Sequence, residues 1–250
     1  MQKIWISLVT ISMLLLAACA KSGQTTIANG DFESGDFTGW TVFADPLPRG
    51  VLAEPIGGEG DWFIYENASE LPGEWDRPPE DGEERAQPEP PQGQYAAITD
   101  MNGPGTFILY QDIELDGQYV LEYTLFYHNG MPDFFAEMGW PLPQEGIFFT
   151  PDSLDYRLTF EPEFPGTPNH QIRIDLLDPD AAVTSVAEGD ILATIFRTEA
   201  NDPAKLDPTT MSYDLSPLTG QTVRLRFAHV DSLGGRYAGV DNVRLVPIGN

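Results

Sequence analysis

The chain has 250 residues and carries 39 acidic side chains against 13 Lys and Arg, a formal net charge of −26 at pH 7. So acidic a chain excludes nucleic acid as a partner, because binding to phosphate needs a basic footprint. The 24 Gly, 22 Pro and single cysteine indicate many turns, few long helices and no disulfide.

The first 18 residues have the three parts of an export signal. Lys3 supplies a positive charge, Ile4 to Leu16 form a mostly apolar run, and small residues lead to Cys19. The apolar run is shorter than the roughly 20 residues that span a bilayer. Leu16-Ala17-Ala18-Cys19 resembles the lipobox of bacterial lipoproteins, which implies a signal peptide at 1–18 and a lipid anchor on Cys19. An ordinary secreted protein with a chance cysteine is the alternative.

The lipoprotein resemblance also implies a location. The residue after the cysteine is Ala20 rather than Asp, which in Gram-negative lipoproteins implies the outer membrane. Residues 19–27 are small and polar and would form a lipidated tether. We interpret residues 28–250 as a single domain, because the composition shows no second shift that would mark a boundary.

Four stretches alternate apolar and polar side chains with period two, which is typical of half-buried strands. They are Thr106–Leu115, Tyr119–Tyr127, His170–Leu176 and Thr222–Ala228. Asp116-Gly117, between the first two, is interpreted as a tight hairpin turn. Since no window has a convincing helical period, the pattern predicts an all-β chain, and one β-sandwich is the simplest architecture.

The segment from Glu66 to Gln94 has a different composition. It holds nine acidic residues, two Arg and six Pro, with almost no periodic apolar pattern. Such a segment buries too little apolar surface to offset the entropy of ordering it. We therefore predict a long, exposed, acidic and Pro-rich loop at 66–94, inserted in the sandwich.

Two regions at the ends of the chain contain recognisable motifs. The first is Asn29-Gly30-Asp31-Phe32-Glu33 with Gly35-Asp36-Phe37-Thr38-Gly39-Trp40, and the second includes Val223–Phe227 and Gly239-Val240-Asp241-Asn242-Val243-Arg244-Leu245. Together they resemble the galactose-binding-like jelly roll, the fold of many carbohydrate-binding modules. In that family the opening segment and the last strand lie close together.

The resemblance implies a structural calcium ion where the opening segment meets the last strand. The family supplies one carboxylate from each, which correspond here to Glu33 and Asp241. Asn29 and Gly30 are further candidate ligands through their backbone carbonyls.

The alternation pattern around Asp241 is also consistent with a calcium site. Asp241 is in phase with Val243 and Leu245, so we expect its carboxylate to face the core. A buried carboxylate without a partner is costly, and a hard cation with oxygen ligands is a natural partner. The alternative is that Asp241 caps a turn and Glu33 is solvated.

An enzymatic site is not expected. The three histidines, His128, His170 and His229, are far apart in sequence without metal-ligand spacing, and each is interpreted as a surface or strand-edge residue. Carboxylates are so abundant that choosing a glycosidase pair among them has no meaning. No other nucleophile and base are paired in a recognisable motif.

Binding of sugars needs exposed aromatic faces with polar groups beside them. The candidates outside the clear core pattern are Trp62, Trp75, Trp140, Phe126 and His128. The alternative for each is that it pins a loop onto the sandwich, whereas Trp40 is expected in the core.

Two functions of different classes follow from the sequence. In the first, the chain is a non-catalytic cell-envelope lipoprotein whose carbohydrate-binding-like module binds a glycan. In the second, it is a structural or adhesion protein that engages another protein or a matrix, and calcium serves stability alone.

Overall fold

The structure is a computed structural model that describes residues 25–46, 61–66, 88–99, 104–132, 136, 139, 141, 146–159, 169–232 and 236–249. These residues form ten strands: β1 (Thr41–Pro46), β2 (Trp62–Tyr65), β3 (Ala96–Thr99), β4 (Gly105–Glu114), β5 (Tyr119–Asn129), β6 (His170–Leu177), β7 (Ile191–Arg197), β8 (Lys205–Asp214), β9 (Thr222–Asp231) and β10 (Arg236–Pro247). Single 3₁₀ turns lie at Tyr156–Thr159 and Ser216–Leu218. No helix among the described residues is long and apolar enough to cross a membrane.

The strands form two antiparallel five-stranded sheets packed face to face. Sheet A has the order β1-β4-β9-β6-β7, and sheet B has the order β2-β3-β10-β5-β8. This confirms the predicted β-sandwich of the jelly-roll type. The main core lies between the sheets and includes Phe107, Leu125, Ile174, Leu225 and Val240.

The four strands predicted from period two are confirmed as β4, β5, β6 and β9. Their bounds differ from the prediction by at most three residues at either end. Phe107, Leu109 and Ile113 of β4 all face the core, as the alternation predicted. Alternation with period two identifies these strands because each has one face on the core and one face away from it.

The predicted hairpin at Asp116-Gly117 is wrong. β4 belongs to sheet A and β5 to sheet B, so the chain crosses from one sheet to the other between them. Leu115 pairs instead with the turn before β9, where its N–H donates to the carbonyl of Gln221 and its carbonyl accepts from Gly220. In a sandwich with crossed connections, a turn-like dipeptide does not show that the strands beside it pair.

The phase assigned to Asp241 is also wrong. Val240 faces the core, and the pairing of β10 with β5 is irregular between Asp241 and Arg244. Asn242, inside this bulge, has a φ of 51°. The extra residue shifts the alternation, so Val243 and Leu245 face the core while Asp241 lies on the other face of sheet B, opposite Thr124.

Several predictions concern parts of the chain that lie outside the described residues. The signal peptide, Cys19 and most of the tether precede residue 25, and 67–87 of the predicted acidic loop are likewise outside. These remain predictions. The two ends of that loop are described, and at one of them the hydroxyl of Tyr65 donates to the carbonyl of Pro88 (3.2 Å).

Candidate functional site

The opening segment docks onto the last strand, as the family resemblance implied. The N–H of Val243 donates to the carbonyl of Gly30 (2.7 Å). The approach is so close that a Cβ on Gly30 would lie 1.9 Å from the carbonyl oxygen of Val243. Trp40 is buried in the core, as expected, and its indole N–H donates to the carbonyl of Asn29 (3.0 Å).

The two predicted carboxylate ligands both lie at this junction and already accept hydrogen bonds. Asp241 is fully buried, and its carboxylate accepts from the N–H groups of Gln92 (2.9 Å) and Asn242 (2.6 Å). Glu33 is exposed, and one of its oxygens accepts from the N–H groups of Gln94 (2.8 Å) and Tyr95 (3.0 Å). The loop end at 92–95 is thus held by both carboxylates.

The electrostatics at the junction favour a cation. The pKa of Asp241 is raised to about 7, mainly by burial and in addition by the negative charges of Glu33 and Asp31, while two backbone hydrogen bonds act in the opposite direction. Two other acidic side chains therefore raise the pKa of Asp241, and no basic side chain is among the groups that change it. Within the described ranges, no group of three His, Cys, Asp or Glu side chains has the geometry of a metal site.

Of the three aromatic candidates that the structure describes, Trp62 lies apart from Phe126 and His128, which both contact Tyr237. Trp62 is buried in the core between the sheets, and Phe126 is buried on the outer side of sheet B between Tyr65 and Tyr237. Neither therefore offers an exposed ring, which corrects the expectation from sequence. His128 is half-buried, with its ring 5.9 Å from that of Tyr237. Trp75 and Trp140 lie outside the described residues and remain predictions.

Two of the three histidines are buried in one polar network, which the sequence did not indicate. Nε2 of His229 accepts from Nε of Arg236 (2.9 Å), so its proton is on Nδ1, which donates to Thr99 Oγ1 (2.7 Å). His170 Nδ1 lies 2.9 Å from Asp231 Oδ1. Burial, reinforced by the charge of Arg236, lowers the pKa of both histidines. The four charged or titratable residues are at most 1% exposed, so the network serves the fold rather than a substrate.

A second polar cluster lies on the outer face of sheet A. The buried carboxylate of Asp175 accepts from Nε and Nη2 of Arg173 (2.8 and 2.9 Å), from Arg226 Nη2 and from the hydroxyl of Thr194 (2.9 Å). Burial opposes the ionisation of Asp175, but the hydrogen bonds and charges of the two arginines outweigh it and lower its pKa. One carboxylate therefore faces two guanidinium groups, and the cluster keeps an excess positive charge.

Loops on either side leave a pocket of about 260 Å³ beside this cluster. Its lining includes Asp152, Arg173, Val186, Glu188, Thr194 and Arg197. Although Arg173 is only 3% exposed, its Nη1 makes no hydrogen bond within the part of the chain that the structure describes. Arg173 and Arg197 are register partners on β6 and β7, so two cations share one wall.

The sequence contained a signal for this pocket, but the signal was incomplete. Alternation in the sequence puts Arg173, Asp175 and Arg226 opposite the apolar residues of β6 and β9. The structure buries all three, and the segment 178–190 is held against Arg226 by two hydrogen bonds from that arginine. Only the pairing of β6 with β9, which the sequence does not show, brings Asp175 directly opposite Arg226.

No model of a known protein family matches the sequence, and no curated protein is significantly similar to it. Solved structures similar to this chain include TmCBM61 in complex with β-1,4-galactotriose, at 12% identity and a TM-score of 0.43, over 88% of this chain and 95% of that one. The K3 cleaved adhesin domain of Lys-gingipain from Porphyromonas gingivalis W83 has 12% identity and a TM-score of 0.40, over 88% and 96%.

The Stig cyclase Fisc from Fischerella sp. TAU has 16% identity and a TM-score of 0.40, over 89% of this chain and 97% of that one. At such identities and TM-scores the likenesses assign neither a ligand nor a reaction. Carbohydrate-binding modules are among the similar structures.

Proposed function

We propose that this protein is a non-catalytic glycan-binding module that binds sugar in the pocket beside Arg173. The observation that carries the proposal is the combination of a polar pocket with side chains that are already fixed. Asp175 holds Arg173 through two hydrogen bonds, and Arg226 and Thr194 hold Asp175 in turn. Groups fixed before binding lose little entropy when a ligand arrives.

The chemistry of the lining suits a sugar. Glu188 and Asp152 are exposed acceptors for hydroxyl groups, and Arg197 is a partly exposed donor with a planar fork. Val186 offers an apolar contact for the C–H face of a ring. At about 260 Å³ the pocket is just below the roughly 300 to 1,000 Å³ typical of ligand sites, which suits one sugar residue of a longer chain.

The first prediction concerns residues 20–250, tested by native electrophoresis in gels that contain a polysaccharide. We expect the polysaccharide to slow the migration of this protein. A panel of cell-wall and matrix polysaccharides should contain at least one that retards wild type, and Arg197→Gln should reduce the retardation. Arg244→Gln is the matched control, because Arg244 is an exposed arginine on sheet B that pairs with Glu122. Failure of every polysaccharide to retard wild type would refute glycan binding and favour the structural or adhesion alternative.

The tryptophans outside the described residues provide a second arm of the same experiment. If Arg197→Gln leaves retardation unchanged while Trp75→Ala or Trp140→Ala abolishes it, glycan binding stands but the pocket beside Arg173 is not the site.

We also propose that a calcium ion stabilises the junction of the opening segment and β10. The residues fit in kind: Asp241, Glu33 and Asp31 supply hard oxygen ligands, and a divalent cation would relieve their mutual repulsion. The carbonyl of Gly30 accepts one hydrogen bond, from Val243, and keeps a second lone pair for a cation. The carbonyl of Asn29 already accepts two hydrogen bonds, from the N–H of Phe32 (3.3 Å) and the indole of Trp40 (3.0 Å), so it is the weaker candidate.

The lipid anchor on Cys19 and the outer-membrane location complete the proposal. Their support is the sequence of the first 20 residues. An anchored module would hold a glycan at the cell envelope.

A further inference from the structure

Three guanidinium groups and three carboxylates surround the pocket beside Arg173, and two of the carboxylates, those of Asp152 and Glu188, are exposed. Arg173 and Arg226 share the carboxylate of Asp175, and Arg197 adds a third guanidinium group on the neighbouring strand. Like charges directly opposite each other on adjacent strands are destabilising. An anion placed between Arg173 and Arg197 would remove that cost.

Asp152 shows where such an anion would bind. Its carboxylate Oδ1 lies 3.7 Å from Nη1 of Arg173 and 4.0 Å from Nη1 of Arg197, beyond hydrogen-bond distance of both. The Asp152 side chain is 76% exposed. A carboxylate so exposed, at these distances, contributes little to stability, so a ligand carboxylate displaces it at little cost.

The Nη1 atom of Arg173 is the second indication. It belongs to a side chain that is only 4% exposed, and it has no hydrogen-bond acceptor among the described residues. A buried donor without an acceptor is costly. An acceptor in the pocket would therefore gain a hydrogen bond that the protein alone does not make.

We propose that this pocket binds the carboxylate of a uronic acid residue, held between Arg173 and Arg197 in the place that Asp152 now takes. The inference rests on the proposed glycan-binding function and names its ligand class. Guanidinium groups suit this role because their planar fork matches a carboxylate. Thr194 and Glu188, on the same lining, face the sugar ring.

The net charge of the chain restricts which acidic glycan fits. At −26 the protein repels a densely charged polymer that lies along its surface. At physiological ionic strength the Debye length is about 8 Å, so repulsion acts between charges within that distance, and one isolated carboxylate in the pocket avoids most of it. The ligand is therefore a polysaccharide whose uronic acid residues are separated by neutral sugars.

The test compares polysaccharides before and after reduction of their carboxyl groups to alcohols. Glucuronoxylan, arabinogalactan and xanthan carry isolated uronic acids, and each has a reduced, neutral counterpart with the same sugar chain. Affinity electrophoresis at 0.15 M salt measures dissociation constants for the two forms. We expect wild type to bind at least one acidic form at least tenfold more tightly than its reduced form.

Two variants should change the preference for the acidic over the reduced polysaccharide in opposite directions. Arg197→Gln should weaken binding of the acidic form at least tenfold and weaken binding of the reduced form much less. Asp152→Asn should tighten the acidic form several-fold, because it removes the competing carboxylate. Asp207→Asn is the matched control, since the Asp207 side chain is 79% exposed and lies on sheet B.

The outcomes separate the two proposals. Equal affinity for acidic and reduced forms would overturn the uronic acid assignment and leave glycan binding intact. No affinity for either form of any polysaccharide would overturn both. Equally tight binding of a hexaglutamate peptide would overturn the sugar assignment in favour of an acidic protein segment.

Discussion

Asp241 combines features that rarely occur together in a carboxylate: it is fully buried, it accepts two backbone hydrogen bonds, and other acidic side chains lie near it. Its pKa of about 7 lies above the roughly 3.9 of an unfolded aspartate. The folded state therefore holds this proton more tightly than the unfolded state. The stabilising contribution is complete below about pH 3.9 and is lost as the pH rises through 7.

This predicts opposite effects of pH in the presence and absence of calcium. Without metal, the melting temperature of wild type should fall relative to Asp241→Asn as the pH rises from about 4 to 8. With calcium present, the wild type should regain stability above pH 7, where the carboxylate is ionised and can bind the cation. Scanning calorimetry with and without chelator measures both effects.

A chelator that leaves the wild-type melt unchanged at pH 8 would remove the calcium proposal. If the melting temperatures of wild type and Asp241→Asn change in parallel across the whole pH range without metal, the raised pKa of Asp241 is contradicted. The buried histidines do not confuse the comparison, because their lowered pKa values act alike in both proteins: they cost stability as the pH falls below about 6.5.

At single positions, the sequence identified aromatic residues that could bind a sugar but did not show which of them are buried. Trp62 and Phe126 were candidates for an exposed platform, and both are buried. Phe126 lies across Gly239 on the neighbouring strand, so that a Cβ on Gly239 would be 2.0 Å from its ring. That glycine leaves room for the ring, and only the register of β10 on β5 reveals the pair.

Among the elements, the segment 178–190 is held to sheet A by arginines of β9. Arg226 donates to the carbonyls of Val183 (2.7 Å) and Ser185 (2.8 Å), and Arg224 donates to that of Ala181 (3.1 Å). Val183 and Val186 also pack partly against the apolar cluster on this face. The wall of the pocket beside Arg173 thus depends on arginines of β9, the strand next to β6 in the sheet.

We predict that Arg226→Met destabilises the protein by about 3 to 5 kcal/mol, because it removes one partner of a buried ion pair and leaves Asp175 undercompensated. Arg224→Met is the matched control on the same strand. Its partner Asp112 is 43% exposed, so we expect a loss of about 1 kcal/mol. Urea denaturation measures both, and equal losses would contradict the role assigned to the buried cluster.

The strands themselves could be predicted where one face is apolar and the other polar, as in β4 and β9. Strands such as β7 and β8 alternate too weakly, because they lie at sheet edges and are half-exposed. The bulge at Asn242 and the crossing at Asp116-Gly117 were mistaken for regular alternation and a hairpin. Both depend on pairings between distant segments, which local pattern does not contain.

At the scale of the whole molecule, the charge and the proposed anchor act together. A protein with a net charge of −26 is repelled by anionic head groups, so without the lipid on Cys19 it should leave the membrane. We predict that Cys19→Ser moves the protein from the membrane fraction to the soluble fraction and abolishes labelling with radioactive palmitate. A Cys19→Ser variant that stays in the membrane fraction would contradict the anchor.

The position of β10 sets the order in which the molecule can assemble. β10 is the middle strand of sheet B, between β3 and β5, and it also receives the opening segment through Gly30. Without residues 236–247, sheet A has all its strands, whereas β2–β3 and β5–β8 are two separate strand pairs. Completion of sheet B therefore depends on insertion of the last strand, and the strand edges on either side of the gap are exposed to wrong pairing until β10 is in place.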